Sequence, residues 1–174
     1  KLIARYMSKD ADVLVFDHSP EQTRDAALYA ARVASLDEIC ECKIIIPFVP
    51  ISAFESVIKL IAPKLKPGTL VIDVCSVKIL PSEVMQKHLP DHVQILATHP
   101  MFGPDSAKET LYGAKLVLCP IRIDEQVYTD LKRYLDHHGL KLIECTPDEH
   151  DQQIANSLIL THLIGRTLIE FESK

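Results

Sequence analysis

KIIIPFVPISAFESVIKLIAPKLKPGTLVID, Lys43 to Asp73, decides the fold. KIII (43–46) and TLVID (69–73) are short β-rich apolar runs, and the stretch between them, 51–65, has the pattern of a helix. Pro50 sits at the helix start, where a missing N–H costs nothing. Lys64, Lys66 and Pro67-Gly68 close the helix in the usual way. Strand, helix, strand is the sequence form of a parallel pair joined by a crossover.

The alternation continues outward in both directions. Further strands are expected at DVLVF (12–16), VQILA (93–97), KLVLC (115–119) and LKLIEC (140–145), and further helices at 20–32, 79–88 and 124–137. The fold class is therefore α/β, a parallel sheet with helices on its faces. KLIARYMSKD, the first ten residues, reads as the back half of a helix. From His150 to Lys174 the pattern becomes one long helix whose apolar residues, Ile154, Leu158, Leu160, Leu163, Ile164 and Leu168, occupy more than one face. Such a helix expects burial by more than one neighbour, supplied by further chain or by a second copy.

The 174 residues are 47% hydrophobic and 25% charged, with a net charge of -5 and no low-complexity run, as in an ordinary globular domain. Interspersed charges and few aromatics do not suit a nucleic-acid partner. No apolar run approaches the roughly 20 residues of a membrane span, and no signal peptide is visible. The five cysteines lack the spacing of a zinc or thioredoxin motif, so reduced, structural thiols in the cytoplasm are expected.

In an open parallel sheet, ligands bind beyond the carboxyl ends of the strands. Here those ends carry Asp17-His18-Ser19, Phe48-Val49-Pro50, Cys75-Ser76-Val77-Lys78 and His99-Pro100-Met101-Phe102-Gly103-Pro104. Asp17 has two readings. It can accept hydrogen bonds from an adenosine ribose, if a glycine-rich turn precedes Lys1, or it can cap the helix that follows. No G-x-G-x-x-G occurs among the five scattered glycines. His99 also has two readings, as a capped surface histidine or as a proton acceptor held by a loop that Pro100 and Pro104 stiffen. His137-His138, at a helix end with no third ligand near in sequence, is not expected to bind metal.

HPMFGPDSAK (99–108), together with DVCSVK (73–78) before it and HDQQIANSLILTH (150–162) after it, resembles the prephenate and arogenate dehydrogenase family. THLIGRTL (161–168) is similar to the arogenate-type members. The resemblance implies a Rossmann-type dinucleotide-binding domain over residues 1–148, without its first strand and Gly-rich loop. Residues 149–174 would then be the first helix of an all-helical dimerisation domain.

It also implies NAD(P)-dependent oxidative decarboxylation of prephenate or arogenate in tyrosine biosynthesis, by a cytoplasmic homodimer. His99 takes the family's catalytic histidine position and Ser76 that of the serine beside substrate hydroxyl and nicotinamide. Asp105 matches an acidic residue at the mouth of the site, and His162 a helix histidine facing the cleft, though packing against a neighbour would explain it equally. Asp17, His18, Ser19, Phe48, Val49 and Pro50, with Ser76, would line the cofactor. Asp17 favours NAD by repelling a 2′-phosphate, while His18 and Ser19 leave NADP open. The arginine that grips the substrate's ring carboxylate has no match here. Two rivals stay open: another Rossmann-type reductase, acting on imines or β-hydroxyacids, and a non-catalytic cofactor-binding or oligomerisation module.

Overall fold

The computed structural model describes residues 2–107 and 109–172, apart from the side chains at 158–160, 162, 165 and 168–172 of the last helix. Helix α1 (Leu2–Met7) leads into strand β1 (Val13–Val15), a one-turn helix α2 (Pro20–Thr23), a 3₁₀ turn (Ala26–Tyr29) and strand β2 (Ala31–Val33). Then come α3 (Leu36–Cys40), β3 (Ile44–Ile45), α4 (Ile51–Ile61), β4 (Leu70–Asp73), α5 (Ile79–His88) and β5 (Gln94–Pro100). The chain ends with β6 (Lys115–Arg122), α6 (Glu125–His137), β7 (Lys141–Glu144) and the long α7 (Pro147–Glu172).

The strands form a parallel pair, β1-β2, and a five-stranded sheet ordered β3-β4-β5-β6-β7. Their arrangement matches the two flanks of a doubly wound sheet of order 3-2-1-4-5-6, and the strand that joins such flanks is not among the described residues. Alternation along the strands divides the core between two faces. Val71, Ile95, Ala97, Val117 and Cys119 pack with Phe54, Ile58 and Ile61 of α4 and Val84 and Met85 of α5. Leu70, Ile72, Leu96, Leu116 and Leu118 pack with Leu2 and Tyr6 of α1 and Tyr128, Leu131 and Leu135 of α6. Strands buried on both faces explain why these runs are apolar throughout rather than alternating.

Two expectations need correction. The sheet is not wholly parallel, because β5 and β6 pair antiparallel, with His99 opposite Val117. The described residues of their connection, 101–107 and 109–114, contain no helix, and a parallel return requires a crossover. The helix expected over 20–32 is broken into α2, the 3₁₀ turn and β2. Ala30 adopts a left-handed φ of 51°, which ends the helical run, and Ala31–Val33 then pairs with β1. Alanine-rich sequence favours helix locally, but pairing with a neighbouring strand overrides that weak preference.

Candidate active site

Parallel pairing of β4 and β5 sets Asp73 beside Ala97, so the chain beyond both strands emerges at the same carboxyl edge. Ser76 lies in the turn after β4, exposed, and His99 lies near the end of β5, half-buried. A buried ionic pair joins the two strands beneath them. Lys78 Nζ donates to Asp73 Oδ2 at 2.5 Å and to the carbonyl of Thr98, and both charged side chains are fully buried. Asp73 also accepts from the N–H groups of Cys75 (2.7 Å) and Thr98 (3.2 Å), while Thr98 Oγ1 donates to the Asp73 carbonyl at 2.6 Å. Burial pushes the Asp73 carboxyl up, against the opposing pull of the Lys78 ammonium and these donors. Every polar atom of the pair thus has a partner in the layer that carries Ser76 and His99.

His99 meets the start of α7. Its Nδ1 lies 2.9 Å from His150 Nε2, with the rings edge-on at 77°. His150 is buried, and its Nδ1 lies 2.7 Å from Asp151 Oδ1. Asp151 in turn accepts the backbone N–H groups of Lys78 (2.7 Å) and Ile79 (2.9 Å). The start of α5, which has no side-chain cap of its own, is therefore capped from α7. Burial acts to raise the Asp151 carboxyl, but the Ile79 N–H, the His150 ring and the Lys78 N–H outweigh it and hold it below the ordinary value. The His99 imidazole is shifted down by burial first, then by the neighbouring His150 ring, since the two rings resist carrying a proton each at once, and by the Lys78 ammonium, with Asp151 opposing. Its neutral form is favoured, as a proton acceptor requires. The Cys75 thiol is pushed up to about 12 by burial and the Asp73 charge, so it is no nucleophile.

The other expected residues follow strands of both sheets. Asp17 follows β1, and its Oδ1 accepts the Ser19 N–H at 2.8 Å, forming a local turn with Ser19 at the start of α2. His18 Nδ1 lies 3.4 Å from that oxygen and points into solvent. Phe48, Val49 and Pro50 follow β3 and lead into α4, with Phe48 60% exposed. Asp105 is exposed in the turn after β5, where Ala107 N–H closes on the Gly103 carbonyl at 3.0 Å. The His162 side chain lies outside the described residues. His138 lies 3.1 Å from Asp10 and meets the Tyr134 ring edge-on, an ordinary role at a helix end. Lys78, Asp73, His150 and Asp151 lie inside the quoted motifs, but none of them was assigned a role of its own from sequence. Their signal was present all the same: an Asp closing an apolar strand, a Lys five residues on, and an adjacent His-Asp at a helix start.

The family model for the prephenate dehydrogenase nucleotide-binding domain matches residues 3–144. The chain belongs to the prephenate dehydrogenase family. Arogenate dehydrogenase 2 of Arabidopsis thaliana, a chloroplastic protein, is 35% identical over 113 residues, 62% of this chain and 32% of that protein. A probable arogenate/prephenate dehydrogenase of Methanocaldococcus jannaschii is 34% identical over 133 residues, 73% of this chain and 29% of that protein. The chain thus spans about a third of the length of the curated relatives it matches. Prephenate dehydrogenase of Aquifex aeolicus, solved with hydroxyphenyl propionate and NAD+, shares the fold at a TM-score of 0.71 and 18% identity, over 92% of this chain and 64% of that one. Among the described residues no helix is long and apolar enough to cross a membrane, and no cluster of metal-ligating side chains occurs.

Proposed function

We propose that the protein carrying this domain catalyses NAD-dependent oxidative decarboxylation of prephenate or arogenate, on the way to tyrosine, with His99 as the proton acceptor. The observation that carries this reading is a half-buried imidazole, hydrogen-bonded to His150 and shifted toward its neutral form, near the carboxyl end of β5, the strand paired with the one that Ser76 follows. The bound nicotinamide supplies the hydride acceptor. As hydride leaves the ring carbon, its hydroxyl becomes acidic, and His99 accepts that proton while Ser76 orients the hydroxyl. Loss of CO₂ makes the ring aromatic, so the protein's task is chiefly positioning.

The residues fit a dinucleotide. Asp17, at the end of β1, keeps one carboxylate oxygen in its local turn and offers the other to a ribose hydroxyl, favouring NAD over NADP. His18 and Ser19 beside it, and Phe48, Val49 and Pro50 after β3, line the remaining cofactor surface. Asp105 at the exposed rim and His162 on α7 complete the substrate side. In this reading 1–148 bind the cofactor, and 149–174 begin a helical domain through which two copies pair. Cys119 and Cys145, with sulfurs 3.9 Å apart as free thiols, suit a reducing compartment such as the cytoplasm.

His99→Asn in the intact enzyme tests the role of the histidine. Asparagine can hydrogen-bond but cannot take the proton, so kcat is expected to fall by about 10²- to 10⁴-fold with NAD binding unchanged. A kcat within a factor of two of the parent would refute it.

A further inference from the structure

His150 and Asp151 lie 51 and 52 residues beyond His99, yet the fold brings all three into one hydrogen-bonded line. The polarity of that line follows from its far end. Asp151 already accepts two backbone N–H groups at the start of α5 and is held ionised, so it can only accept from His150. The proton of a neutral His150 therefore sits on Nδ1, 2.7 Å from Asp151 Oδ1, and leaves Nε2 as an acceptor. His99 Nδ1, 2.9 Å from that Nε2, must then carry the N–H. By elimination, the lone pair of His99 is on Nε2, the nitrogen left for the substrate.

We infer that His150 and Asp151 are positioning residues that fix His99 in its Nδ1–H tautomer and share the positive charge when Nε2 takes the substrate's proton. The inference rests on the reading of His99 as proton acceptor. The balance is simple: the hydroxyl O–H bond breaks, its proton bonds to His99 Nε2, and the hydride goes to the nicotinamide. The Nδ1–H proton of His99 can then shift toward His150 Nε2, placing the cation next to Asp151. An acceptor with the wrong tautomer would present an N–H to the hydroxyl and could not act, which is why a second imidazole orients the first. The charged groups facing the pair are Lys78, from the turn before α5, which opposes protonation of His99, and Asp151, from α7, which favours it. His150 is 3% exposed, so water does not compete for either ring nitrogen.

The test combines nitrogen-15 NMR of histidine-labelled intact enzyme with steady-state kinetics, for the parent, His150→Leu and His150→Gln. The parent is expected to show the His99 proton on Nδ1. His150→Leu should mix the tautomers and lower kcat by about 10- to 100-fold at unchanged KM for NAD. His150→Gln, whose Oε1 can accept from His99 Nδ1–H but cannot share the charge, should restore the tautomer and only part of kcat. It also stands in should His150→Leu fail to fold. A parent His99 protonated on Nε2, or an unchanged tautomer in His150→Leu, would overturn the inference. Mixed tautomers in His150→Leu with normal kcat would instead overturn the reading of His99 as acceptor.

Discussion

An imidazole with an ordinary pKa near 6.5 is half protonated just below neutrality, whereas His99 is shifted down by burial and by neighbouring charge. The sign of the consequence is definite. The neutral form is the acceptor, so kcat should hold as pH falls to about 6.5 and decline only as pH drops through the lowered His99 value. A pH profile of kcat checks this, and an acid limb centred above about 6.5 would contradict it. His99 stood out as a candidate in the sequence because prolines and a glycine crowd the loop around it. His150 did not, since nothing local ties it to a residue 51 positions earlier. Only the meeting of β5 with the start of α7 does so.

Among the elements, the turn from β4 to α5 is held by the Lys78–Asp73 pair, and that pair is buried with a hydrogen-bond partner for the ammonium and for both carboxylate oxygens. Removing one partner strands a charge in the core, so Lys78→Met is expected to destabilise the domain by about 3–5 kcal/mol. Denaturant unfolding measures this, and a loss under about 1 kcal/mol would contradict it. Gly139, after α6, has a φ of +78°, and an added Cβ would lie 2.6 Å from Tyr112 Cδ2 and 3.2 Å from Tyr112 Cα. Gly139→Ala should therefore cost about 1–3 kcal/mol in the same measurement. Most elements were legible because their apolar runs are long or bounded by Pro and Gly. The exceptions are short. Helix α3 was not among the expected helices, its one local signal being the Ser35–Glu38 capping box, and β2 lies inside alanine-rich sequence that reads as helix until its partner strand is known.

At the scale of the molecule, the α/β layering was readable from alternation alone and the Rossmann-type arrangement from the resemblance of the three motifs, while the antiparallel return of β6 was not readable, because its strand looks like any other buried one. Asp17 predicts higher kcat/KM with NAD than with NADP, and equal or better efficiency with NADP would contradict that role. Helix α7 exposes Leu163 (62%) and Ile164 (52%), apolar surface worth roughly 25 cal/mol per Å² when covered. Residues 1–174 made alone are thus expected to self-associate in sedimentation, and a clean monomer would defeat that expectation. The most direct measurement offers prephenate and arogenate, each with NAD and NADP, to the intact enzyme while following nicotinamide reduction and CO₂ release together. One CO₂ released for each nicotinamide reduced, with at least one of the two substrates, is the predicted result; no reduction with either, or reduction without CO₂, would contradict it.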